Sequence, residues 1–143
     1  MPLTYVLRVH IIGLRIIFYC LGLFLLYKNL IEEYKERKIK IWIVKGVLVR
    51  DLFFLDFTEG GHDKVYSFIP DNEVWIDDDL DLSERKFVIL HELHERNLMC
   101  RGEEYDSAHK SSSKIEYYCR KHPRKLDRYI RREFRKAERA LLH

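Results

Sequence analysis

Phe87-Val88-Ile89-Leu90-His91-Glu92-Leu93-His94-Glu95-Arg96 is an apolar run that leads straight into His-Glu-Leu-His-Glu. Its length and its lack of Gly or Pro predict one helix, from about Glu84 to Met99, stopping near Gly102. At about 100° per residue, His91 and Glu95 fall one turn apart on one face, with His94 on its shoulder and Glu92 a quarter turn round. Four metal- or proton-active side chains within five residues exceed what packing alone requires. Ser83 is the expected N-cap, with Glu84 in the positive first turn.

Two more helices follow. One is expected over Glu103 to about Lys121, where Tyr105, His109, Ser112 or Ser113, and Glu116 share a face. Pro123 ends it. The last, Arg124 to about Leu141, carries an apolar stripe of Leu126, Ile130, Phe134, Ala137 and Leu141 and a basic opposite face. Arg120 to Arg139 holds ten Lys/Arg against Asp127, Glu133 and Glu138. That charge suits nucleic acid or acidic lipid, or simply water.

Upstream, the period changes to two. Ile39, Ile41 and Ile43 alternate with Lys40, Trp42 and Val44, and Gly46 marks a turn. Val47 to Arg50 reads as a partner strand. Leu52 to Phe57 reads as a strand or a chain over the core, and Glu59-Gly60-Gly61-His62 as a loop. Val65 to Ile69 and Glu73 to Asp77 read as a hairpin turned by Pro70-Asp71-Asn72. Three to five short antiparallel strands are thus expected before the His-Glu helix. Asp77, Asp79 and Asp81 have the spacing of a calcium loop, but Leu82 and Val88 stand where it needs Gly and Glu, leaving a solvated strand end.

Ile11 to Tyr27 is apolar but for Arg15, and its charge-free core, Ile16 to Tyr27, is 12 residues. That is short of the ~20 of a spanning helix. If Arg8 and Arg15 snorkel, 3–27 reaches across a membrane, and the following lysines and arginines place the rest in the cytoplasm. Otherwise it is a packed or interfacial helix. Asn29 to Lys38 reads as a polar connecting helix. The division expected is 1–38 for these helices and 39–143 for the metal-binding domain. In all, 143 residues with 47% hydrophobic and 34% charged content fit one globular core. Cys20, Cys100 and Cys119 form no CxxC pair, which fits a reducing compartment; Cys100 is expected in the core. No phosphate loop, nucleophile elbow or dinucleotide fingerprint is present.

A metal site needs converging lone pairs. Two ligands at i,i+4 give a rigid bite, and a third comes from elsewhere in the fold. His91 and Glu95 supply the pair, with His94 an alternative at i,i+3. His109 is the expected third, turned toward the first helix by a short connection at Gly102. Glu116 is either a further ligand or a carboxylate orienting a His. Glu92 is placed as general base and Tyr105 as donor to a developing oxyanion. His62 could line the cleft.

From Ile39 to Glu116 the chain resembles small zincin-like metallopeptidases of bacteria and phages, whose motif is HExxH with a third ligand on a following helix. The resemblance implies His91 as first ligand, Glu92 as catalytic base and His109 or Glu116 as the downstream ligand, with zinc as metal and a peptide or protein as substrate. Here the second histidine position is Glu95, giving HExxE; a carboxylate binds zinc, and a mixed His/Glu set also suits iron or manganese. The reading is therefore an α+β protein with a small antiparallel sheet, a metal-bearing helix pair, a basic C-terminal helix and an apolar N-terminal one, acting as a zinc hydrolase of peptide or amide bonds. Two alternatives stand beside it: a non-catalytic metal-binding module docking nucleic acid or membrane through 120–139, and a magnesium site on Glu92, Glu95 and Glu116.

Overall fold

The computed structural model describes residues 28–53 and 56–142. The apolar helix expected over 3–27 lies outside them, and among the described residues no helix is long and apolar enough to cross a membrane. The chain is α+β. Strands β1 (Lys28–Leu30), β2 (Lys40–Val44), β3 (Gly60–His62) and β4 (Glu73–Asp77) form one sheet in the order β1-β2-β4-β3. Helix α1 (Gly46–Leu52) interrupts them; α2 (Leu82–Met99), α3 (Tyr105–Lys121) and α4 (Leu126–Ala140) follow.

The sheet is mixed, not antiparallel as expected. β1 pairs antiparallel with β2 and β3 with β4, but β2 and β4 run parallel, Ile41 beside Val74 and Ile43 beside Ile76. Its two faces serve two cores. Ile39, Ile41, Val74 and Ile76 face α2–α4 and meet Val88, Ile89, Leu90, Leu93, Ile130 and Phe134. Val44 and Trp75 face the other way and pack with Val49, Phe57, Phe68 and Ile69. The alternation along β2 is the one its sequence carries.

Four upstream expectations are corrected. Asn29 to Lys38 is not a connecting helix: its start lies in β1, where Asn29 opposes Ile43, and one 3₁₀ turn, Glu32–Tyr34, follows. Val47 to Arg50 is helix α1 rather than a strand; Val47 is 53% exposed, unlike a residue of an inner strand. The turn places Arg50 so that its guanidinium reaches Asp77 at 2.6 Å, while the Gly46 N–H donates to Asp78 Oδ1. A Cβ on Gly46 would fall 2.0 Å from Asp77, so only glycine fits. Val65 to Ile69 makes no strand. It turns under the sheet with Tyr66 and Phe68 in an aromatic cluster against Phe57 and Trp75. The partner of β4 is instead the Gly60-Gly61-His62 segment expected as a loop.

The helices match their periodicity more closely. Ser83 lies inside α2, and Asp81 takes the N-cap position without a side-chain cap bond. Asp77 is buried against Arg50 rather than solvated. Cys100 is exposed, not core, and Cys119 is buried. At the end of α2, Gly102 adopts φ 91° and the Glu103 N–H bonds back to Leu98 O, a glycine-terminated helix end. The chain then doubles back. Glu95–His109, His91–Glu116 and Glu84–Arg120 contacts step backward along α2 as they step forward along α3, so the pair is antiparallel.

Candidate metal centre

Three donor atoms converge between α2 and α3. His91 Nε2 lies 3.2 Å from His109 Nδ1, His109 Nδ1 lies 2.8 Å from Glu95 Oε2, and His91 Nε2 lies 3.4 Å from Glu95 Oε2. Donors at 2.0–2.1 Å from a tetrahedral zinc are separated by roughly 3.3 Å. The triangle therefore has the size of one face of such a site, and its imidazole and carboxylate donors are of the right chemistry. The i,i+4 bite of His91 and Glu95 comes from α2, and the Gly102 turn brings His109 to it. His94, the i,i+3 alternative, points elsewhere, to Ser111 on α3 at 3.1 Å and Glu133 on α4 at 3.4 Å.

The surrounding shell fixes the orientation of each donor. Glu116 Oε2 accepts from His91 Nδ1 at 2.8 Å, leaving Nε2 to face the triangle. Its other oxygen accepts from Arg120, which also reaches Glu84. Glu116 thus meets His91 at Nδ1, on the side of the ring away from the donor triangle.

His62 is the residue that the sequence most undervalued. It is fully buried, and its Nε2 lies 3.1 Å from Glu95 Oε1. Its Nδ1 accepts from the Lys64 backbone N–H at 3.2 Å, so the neutral ring carries its proton on Nε2 and donates it to Glu95. His62, Glu92 and Glu95 also come within ligating distance of one another. The Lys64 bond favours the donor role for His62, since ligation through Nε2 would need the proton moved onto the nitrogen that already accepts. The β3 register explains its aim: Gly60 and His62 oppose Ile76 and Val74, and share their helix-facing side. Only the alternation of a strand over Gly60-Gly61-His62 could have revealed this, and two glycines hide it.

Glu92 sits in the same cleft, which has a volume of about 380 Å³ and is also lined by Glu59, Tyr66 and Tyr105. Although part of its surface is open to the cleft, Glu92 is closely ringed by protein; that burial, reinforced by the charge of Glu95, pushes its pKa up to about 8. Burial would likewise raise Glu95, but hydrogen bonds from His62, His91 and His109 override it and bring its pKa down to about 2. Burial would lower His91, yet its bonds to Glu116 and Glu95 raise it to about 10. The cleft floor thus pairs an ionised Glu95 with a cationic His91, beside a Glu92 whose ionisation is disfavoured. Tyr105 stacks on His109, centroids 5.4 Å apart, and stands at the mouth.

The residues that follow His62 and Glu95 form a second clasp. Arg96 Nε donates to Asp63 Oδ1 at 2.6 Å and Nη2 donates to Oδ2 at 3.0 Å, both groups buried. Asp63 also accepts from the Asn72 N–H. Gly60 closes the fit: a Cβ there would meet Val88 at 3.0 Å and Glu92 at 3.3 Å. Comparison with protein-family models, curated proteins and solved structures finds no match to this chain.

Proposed function

We propose that the protein is a zinc-dependent hydrolase of peptide or amide bonds, with a zincin-like centre on His91, Glu95 and His109. The observation that carries this reading is the donor triangle of tetrahedral size, opening into a cleft beside Glu92. A bound zinc ion would supply Lewis-acid polarisation of a carbonyl and lower the pKa of water in the open position. Glu92 takes the proton from the attacking water and returns it to the leaving amine, a role for which a carboxylate poised near neutrality is suited. Tyr105, at the mouth, donates to the developing oxyanion. His62 and Glu116 hold Glu95 and His91 in their ligating orientations. The same donor set would accept iron or manganese. The free thiols of Cys100 and Cys119 support a reducing, cytoplasmic setting.

The test combines metal content with turnover. Wild-type protein should purify with one zinc per chain, or take one up, and His91→Ala and His109→Ala should not. Glu92→Gln should keep the zinc and lose about 10²- to 10⁴-fold of the activity on a quenched fluorescent peptide library. Metal retained in both histidine variants would overturn the site. Zinc bound without any turnover that depends on Glu92 would leave a metal-binding module without catalysis.

A further inference from the structure

We propose that the outer face of α4 is a binding surface for the phosphate backbone of a nucleic acid, independent of the metal centre. Arg128, Arg131, Arg135 and Arg139 are all exposed and follow one another at three- or four-residue steps, so they share one stripe of the helix. None of their guanidinium groups has a hydrogen bond or ion pair among the described residues.

What separates this stripe from an ordinary solvated face is the fate of the neighbouring acids. Asp127 reaches to Lys86 at 3.0 Å. Glu133 is fully buried and bonded to Asn97 and Lys136. Glu138 turns to Arg37 at 3.6 Å. Each carboxylate of α4 is therefore engaged by a cation other than these four arginines.

The stripe spans about 16 Å at 1.5 Å per residue. One nucleic-acid strand presents a phosphate every 3.4 Å of helix axis, so about five phosphates lie within reach. Arginine's planar fork suits phosphate oxygens, each donor pair engaging two of them. An acidic membrane is the weaker match. The apolar face of α4, Leu126, Ile130, Phe134 and Ala137, is already buried in the core and has nothing to insert into lipid. Leu141 and Leu142 stand exposed past the helix end.

The experiment uses the full chain, a fluorescein-labelled 20-mer as single strand and duplex, and vesicles of phosphatidylcholine with phosphatidylserine. Anisotropy should show oligonucleotide binding that weakens roughly 50- to 150-fold between 50 and 200 mM salt, as four released counterions require. The variant carrying Arg128→Gln, Arg131→Gln, Arg135→Gln and Arg139→Gln should lose that binding while unfolding at the wild-type temperature. If the quadruple variant does not fold, Arg131→Gln and Arg135→Gln singly should each reduce the salt slope by about one. The proposal is overturned by no oligonucleotide binding at 50 mM salt, by binding that the arginine variants leave unchanged, or by vesicle binding that alone depends on these arginines.

Discussion

His62 donates from Nε2 to Glu95 Oε1 at 3.1 Å, and this one bond couples the edge strand of the sheet to the candidate metal centre. Glu95 is left with a single free oxygen, Oε2, which faces His91 and His109. Loss of the bond should loosen the ligand without removing it. His62→Ala is expected to weaken zinc binding about 10- to 100-fold at unchanged stoichiometry, measured by chelator competition. His62→Gln, which keeps a donor, should recover part of the loss. Equal affinities in all three proteins would show that Glu95 needs no such support.

The Asp63–Arg96 pair secures the same junction one residue along. Burial alone would raise the Asp63 pKa, but the Arg96 guanidinium and the Asn72 N–H hold it below the usual carboxylate range. Removing one partner leaves a buried charge without its counter-charge. Asp63→Ala or Arg96→Ala should each cost about 3–5 kcal/mol in urea unfolding. The double variant should cost clearly less than the sum of the two, and strictly additive losses would argue against a coupled pair.

Acid should expose the buried polar junction at Glu133. Burial opposes its ionisation, yet bonds from His94, Lys136 and Asn97 bring its pKa down to about 2, against 4.5 for the free group. A folded pKa below the unfolded one gives stability that is complete above about pH 4.5 and lost as pH falls toward 2. The contribution is on the order of 3 kcal/mol. Glu133→Gln should therefore reduce the slope of the stability profile between pH 4.5 and 2, where Glu95 and Asp63 still contribute, read by urea midpoints across that window.

Metal binding should also strengthen as pH rises, in a higher pH window. The proton held on His91, whose pKa is raised to about 10, must leave when a metal enters. Zinc affinity should climb by up to about tenfold per pH unit from pH 6 to 8, and an affinity flat across that range would contradict this. In the metal-free protein the same raised pKa stabilises the fold fully below pH 6.5 and ceases to as pH rises toward 10.

Gly60 tests how closely the edge strand must approach α2. Its added Cβ would meet Val88, the Trp75 carbonyl and Glu92 at 3.0–3.3 Å. Gly60→Ala should cost about 1–3 kcal/mol of stability and reduce turnover by displacing Glu92, with zinc stoichiometry unchanged. Wild-type stability and turnover in this variant would show that the contact has slack.

The amino-acid pattern by itself determined the three long helices, because their apolar periodicity, Pro123 and the Gly102 stop are local signals. It also determined the His91/Glu95 bite, which is helix geometry, and singled out His109 and Glu116 as its partners. Tertiary structure alone decided the sheet. The parallel β2–β4 pairing is non-local, and the β-rich Val47–Arg50 run is helical in a context where Arg50 reaches Asp77 from a distant strand. The same holds for His62 and Glu116. Gly60-Gly61-His62 has poor strand propensity and becomes a strand only because β4 supplies its backbone partners and α2 needs the room. Which ring nitrogen of His91 Glu116 meets is likewise a distance no spacing rule contains.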